Sequence, residues 1–77
     1  MTARYTLRTV RSYAIHDRFI VMDRVTRHKA QGVWSTAAVA AARAAGRIHS
    51  DGAGVIFLYR PDAESTAAEL NAKEAQQ

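Results

Sequence analysis

Phe19-Ile20-Val21-Met22-Asp23, then Gly32-Val33-Trp34, then Ser35-Thr36 running into the alanine-rich stretch 37–47: this part of the chain decides the fold. The first segment reads as a half-buried strand and Gly32-Val33-Trp34 as a second, short strand. Between them the polar run Val25-Thr26-Arg27-His28 makes the turn. If Val25 pairs with His28, Phe19 lies opposite Trp34. Ser35 or Thr36 caps the helix that follows. With Ser35 as the cap, Trp34 and Val39 take the spacing of a hydrophobic staple. At 100° per residue, Ala38, Val39, Ala41, Ala42, Ala45 and Gly46 share one side, and Arg43 and Arg47 lie beside each other on another. Gly46 marks the helix end. The unit leaves no room for a catalytic loop.

Working towards the N-terminus, residues 4–15 read as a strand with Tyr5, Leu7 and Thr9 on one side, continued by Tyr13 and Ile15. His16-Asp17-Arg18 serves as a three-residue hairpin loop, which sets Ile15 against Phe19 and Tyr13 against Val21. The two hairpin registers agree on one apolar face of Tyr13, Ile15, Phe19, Val21 and Trp34. Towards the C-terminus, Ser50, Asp51, Gly52 and Gly54 form a turn. Val55-Ile56-Phe57-Leu58-Tyr59 is apolar on both faces, as in a central strand or one buried at a subunit contact. Arg60-Pro61-Asp62 ends it. Asp62 caps a last helix, with Thr66-Ala67-Ala68-Glu69 as an alternative capping box. Leu70 is that helix's only large apolar residue, so the helix should dock weakly and fray from residue 72.

The expected fold is therefore α+β, in one domain of 77 residues. An antiparallel sheet of three or four strands packs against one main Ala-rich helix, with a second, looser C-terminal helix. A chain of this size has a stability of about 4–10 kcal/mol. It has no cysteine, so neither disulfides nor thiolate sites staple it. No apolar run nears the ~20 residues of a membrane span, and Met1-Thr2-Ala3-Arg4 lacks an apolar signal core. The expectation is a cytoplasmic protein without membrane contact.

Charge is uneven. Residues 1–47 carry nine cations against Asp17 and Asp23, a net +7, whereas residues 48–77 carry Arg60 and Lys73 against five acids, a net −3. Nine of the eleven cations are arginine, which suits bidentate contacts with carboxylate or phosphate. His16, His28 and His49 lack metal-ligand spacing, and no cofactor is expected. His49-Ser50-Asp51 reads as turn chemistry rather than a triad, because three neighbours in one turn do not reach triad geometry. Gly52-Ala53-Gly54 precedes a strand rather than a helix, so it is no phosphate loop. The expectation is a protein that is not an enzyme. The basic clusters carry what remains: Arg4 with Arg8 on a strand face, Arg24, Arg27 and Lys29 at a hairpin tip, and Arg43 with Arg47 on the helix. Arg24, Arg27, Lys29, Arg43 and Arg47 are the candidate contact residues, either for a protein or for nucleic-acid phosphates. The aromatic residues fall on the expected core face, which leaves arginine to face outward.

The run Phe19-x-Val21-x-Asp23-x-x-Thr26, followed by Trp34-x-Thr36 and a helix opened by alanines, resembles a small hairpin-plus-helix domain frequent among accessory proteins of phages and other mobile elements. Within that set it is similar to the anti-CRISPR proteins that block type I surveillance complexes. The resemblance covers about residues 13–47 and carries over no functional residue. It implies a non-enzymatic inhibitor that binds a protein subunit of a nucleoprotein complex and blocks target DNA. The basic front departs from the acidic, DNA-mimicking members. The alternative is a small basic nucleic-acid-binding accessory or regulatory protein. A homodimer through Val55–Tyr59 is a third expectation.

Overall fold

The computed structural model describes residues 3–11, 16–50 and 54–76. In chain order they form β1 (Tyr5–Arg11), β2 (Asp17–Asp23), β3 (His28–Lys29), a 3-10 helix (Gln31–Ser35), α1 (Ala37–Ala44), β4 (Ile48–Ser50), β5 (Val55–Phe57) and α2 (Arg60–Ala75). The strands make one antiparallel sheet in the order β1-β2-β5-β4, with β3 beside the far end of β2. The class is α+β, as the sequence implies. No helix among the described residues is long and apolar enough to cross a membrane.

Both hairpin registers differ from expectation. Thr9 faces Phe19 and Leu7 faces Val21, and Arg11 pairs with Asp17, so Asp17 belongs to β2 and not to a loop. The expected partners Tyr13 and Ile15 lie outside the described residues. The shift is six residues. An even shift keeps every side chain on its face, so alternation alone cannot detect it. The observed register brings Arg4 to Asp23: its Nε and Nη2 each donate to a carboxylate oxygen of Asp23 at 3.0 Å. In the second hairpin, Asp23 rather than Val25 pairs with His28. The turn has four residues, Arg24 to Arg27, with Arg27 at φ 64°. Asp23 Oδ1 accepts from the Val25 N–H at 2.9 Å and closes the turn from within.

Gly32-Val33-Trp34 is not a strand. β3 stops at Lys29 and the chain enters the 3-10 helix. Trp34 is 47 % exposed, and Phe57, not Trp34, lies opposite Phe19. The helix cap is Thr36: its Oγ1 accepts from the Val39 N–H at 3.2 Å. That choice moves Trp34 out of staple position. At the other end Gly46 has φ 71°. Gly46 N–H donates to Arg43 C=O at 3.1 Å and Arg47 N–H to Ala42 C=O at 2.8 Å, a Schellman motif as the glycine implies.

The two helices exchange the roles expected of them. α2, 16 residues long, lies on the sheet and buries Ala63, Thr66, Ala67 and Leu70. α1 packs on α2 and beside β4 instead of crossing the sheet, burying only Val39 and Ala42. Small residues let α2 approach closely, so one leucine suffices; Phe57, fully buried, fills the space from the sheet side. α2 begins at Arg60 with Pro61 in its first turn, where a missing N–H costs nothing. Asp62 therefore lies within the helix and Thr66 in its interior. Thr66 Oγ1 donates to Asp62 C=O at 2.8 Å rather than capping. The helix continues to Ala75, past residue 72, and Glu74 accepts from Arg4 Nη1 at 3.0 Å.

β5 takes the central-strand alternative. It is paired on both edges, by β2 and β4, which leaves it no edge for a subunit contact. It ends at Phe57, so Leu58 and Tyr59 are outside it. β4 is a strand beyond those expected from the sequence, and Ser50 belongs to it rather than to a turn. Asp51 and Gly52 lie outside the described residues.

Candidate binding surface

The two helices and the 3-10 helix share one core with the odd-numbered residues of β2 and β5: Val21, Val55 and Phe57 pack with Val33, Val39, Ala63, Ala67 and Leu70. The even-numbered side of the sheet therefore carries no described helix. Its residues follow from the register. Arg8 faces Ile20, Val10 faces Arg18, Thr6 and Lys29 flank Met22, and His49 faces Ile56. One rung beyond Phe19 and Phe57, Ile20 and Ile56 lie side by side. The result is a small apolar centre in which Ile20 is buried and Met22 and Ile56 are half-buried, with Arg8, Arg18, Lys29 and His49 around it.

Electrostatics separate the cations into two groups. Every carboxylate among the described residues has a cationic partner within 4.0 Å. Asp23 and Glu74 share Arg4, Asp17 takes Arg11, Asp62 takes Arg47, Glu64 takes Arg60 and Glu69 takes Lys73. The Asp23 carboxyl is only 6 % exposed and titrates below the ordinary range. The paired hydrogen bonds from Arg4 are the main cause; burial opposes them and the Val25 N–H adds to them. Arg4 is correspondingly raised, first by Asp23 and then by Glu74. Glu69 also titrates low, because the Ala37 N–H bonds both its oxygens, at 3.0 and 2.9 Å, and the Ala38 N–H bonds one. Here an acid of α2 occupies the positive end of α1. Arg8, Arg18, Arg24, Arg27 and Arg43 have no carboxylate partner among the described residues.

The five residues singled out from the sequence do not form one surface. Arg24 and Arg27 are exposed together in the β2–β3 turn. Lys29 is half-buried on β3, and its side chain lies over Gly54, where an added Cβ would meet Lys29 Cδ at 3.2 Å. Arg43 is on α1, in the helix layer, with its guanidinium 5.9 Å from the centre of the Trp34 ring. Arg47 is not Arg43's neighbour on a helix face. It follows the helix and holds Asp62 bidentately, Nε to Oδ2 at 2.9 Å and Nη2 to Oδ1 at 3.1 Å. That contact closes the turn before β4 against α2 and removes Arg47 from the surface set. Arg8 and Arg18 were not among the five. The signal for Arg8 was present in the alternation of β1, whereas Arg18 joins that face only because β2 begins at Asp17 and takes in a residue expected in the loop.

The aromatic residues are not all internal. Phe19 packs on the core, but Trp34 and Tyr59 are exposed. Tyr13 lies outside the described residues. A cleft of about 430 Å3 is lined by His16, Asp17, Arg18, Leu58 and Tyr59. His16 lies in the bend that precedes β2, and Asp17 and Arg18 are the first two residues of that strand. Among the described residues no three His, Asp or Glu side chains are grouped to hold a metal ion. Comparison with known proteins finds no family model, no curated protein and no solved structure that matches this chain.

Proposed function

We propose that this chain is a non-enzymatic binding protein that engages an anionic partner through the arginines that have no carboxylate partner among the described residues. Following the anti-CRISPR resemblance, the partner is a subunit of a nucleic-acid-handling complex, and binding inhibits that complex by blocking target DNA. The observation that carries the reading is the charge partition. The described acids are consumed internally, and Arg24 and Arg27 at the turn, with Arg8 and Arg18 on the open face, are left for a partner. Leaving arginines without carboxylate partners while acids are neutralised gives a one-signed field, which steers an anionic partner.

The test mixes the protein with a purified type I surveillance complex and reads co-elution and target-DNA binding. Co-elution with loss of DNA binding, both abolished by Arg24→Glu with Arg27→Glu, is the expected result. An unaffected complex sinks the inhibitory reading. A second reading, nucleic-acid binding, draws on Trp34 and Arg43, because an exposed indole beside a guanidinium makes a stacking platform for an unpaired base. It requires affinity for random DNA that drops steeply with salt and falls further in Trp34→Ala.

A further inference from the structure

β1 is an edge strand, and one of its rungs is already occupied in an informative way. The Tyr5 N–H donates to Asn71 Oδ1 at 2.9 Å, and Asn71 Nδ2 donates to the Tyr5 C=O at 3.0 Å. The amide of Asn71, on α2, thus takes the place of one peptide unit of a neighbouring strand. This shows that the Tyr5 backbone groups point away from β2. On the other parity, the Arg4 C=O accepts from the Arg24 N–H at 2.8 Å, so even-numbered residues bond inward. In an antiparallel ladder this alternates. Leu7, Thr9 and Arg11 therefore present their N–H and C=O groups outward, with no described strand beside them. Residues 8–11 are exposed. From Leu7 to Arg11 the free edge is about 14 Å long.

We infer that this edge is a strand-addition site, at which an extended acidic segment of a partner protein continues the sheet next to β1. The inference rests on the anionic-partner reading above and specifies its geometry. Main-chain bonds to Leu7, Thr9 and Arg11 supply affinity without side-chain specificity, and the alternating side chains supply selection. Arg8, on the open face, has no carboxylate partner among the described residues, whereas Leu7 is half-buried on the core side. The complementary segment therefore alternates acidic residues on one side with apolar, β-branched residues on the other. A second copy of this chain is a poorer occupant. Antiparallel pairing of two β1 edges sets the two Arg8 side chains directly opposite or diagonal on one face, where like charges repel.

The experiment uses the whole protein, amide hydrogen exchange, and a synthetic peptide of about eight residues that alternates glutamate with valine. In the free protein, Leu7 and Thr9 amides should exchange at least about tenfold faster than Arg8 and Val10. Peptide at about 1 mM should slow Leu7, Thr9 and Arg11 by about fivefold or more. The same peptide N-methylated at alternate residues keeps its charge but loses the donors facing β1, and should give no protection. Thr9→Pro should also abolish it. Its lost N–H is an outward one, so the ladder with β2 stays intact, and unchanged α2 amides will verify the fold. If the variant unfolds, the methylated peptide decides alone. Equal binding of methylated and plain peptides, with shifts at Arg24 and Arg27 only, overturns strand addition and leaves the binding reading standing. No change anywhere on the protein overturns both. Protection of Leu7 and Thr9 that rises with protein concentration, with doubled mass in light scattering, makes the occupant a second copy and overturns the inference.

Discussion

Asn71 offers the sharpest test of how the edge of this sheet is held. Asn71→Ala removes both hydrogen bonds to Tyr5. Each is worth about 1 kcal/mol net, and the freed groups sit at an edge that water reaches, so the gross loss is about 2 kcal/mol. Alanine improves the helix by up to about 0.7 kcal/mol, which brings the net loss to about 1–2 kcal/mol. For a domain of this size that lowers Tm by about 4–16 °C. Asn71→Asp separates geometry from mere loss of an amide. The introduced carboxylate still accepts from the Tyr5 N–H but sets a second acceptor against the Tyr5 C=O. It should therefore cost more than alanine at pH 7. Its folded-state pKa rises, because only the protonated carboxyl can donate to that carbonyl, so the deficit relative to wild type should shrink as pH falls through the acid range. Urea unfolding of the three proteins at pH 7 and pH 4 reads all of this. An alanine variant within about 0.5 kcal/mol of wild type, with aspartate no worse, would refute the strand-mimic account.

Asp23→Asn should destabilise at pH 7 and flatten the acid limb of the stability curve. Because Arg4 holds the Asp23 carboxyl low, its contribution is present above the unfolded value of about 3.9 and is lost as pH falls through the folded one. The gap between wild type and variant should therefore narrow below about pH 4 in urea titrations; a constant gap counts against the pairing. Phe57→Ala empties the centre of the core and should cost about 3–5 kcal/mol. Against a total of about 4–10 kcal/mol, thermal unfolding should find the variant marginal or unfolded at 37 °C, and a loss under about 1 kcal/mol would place Phe57 outside the core.

The class of fold was legible because strand alternation in 19–23, the apolar run from Val55 and the Thr36 and Gly46 boundaries are local signals, each read within a few residues. Most of the details that failed are non-local. A two-residue period cannot tell the observed hairpin from one displaced by six residues. Trp34 looked like core because strand propensity says nothing of where β3 stops. β4 carries one apolar residue, Ile48, and exists only because β5 offers it an edge. α2 looked weak by its side chains, yet its small residues are what allow it to lie close to the sheet. The site was legible in sign but not in membership. A basic front is visible in the composition, whereas the fate of each arginine depends on which acids the fold brings to it.

By itself, the order of residues determined an α+β domain, the capped and glycine-terminated α1, and an excess of arginine. These follow from backbone sterics, capping hydrogen bonds and composition, all of which act over a few residues. Only the tertiary structure decided that Arg4 and Arg47 are structural, that Arg18 joins Arg8 on one face of the sheet, and that the edge of β1 is closed at Tyr5 and open from Leu7. Those outcomes depend on partners far away in the chain, Glu74 for Arg4 and Asn71 for Tyr5. A hydrogen bond across such a separation exists only once packing has set the distance.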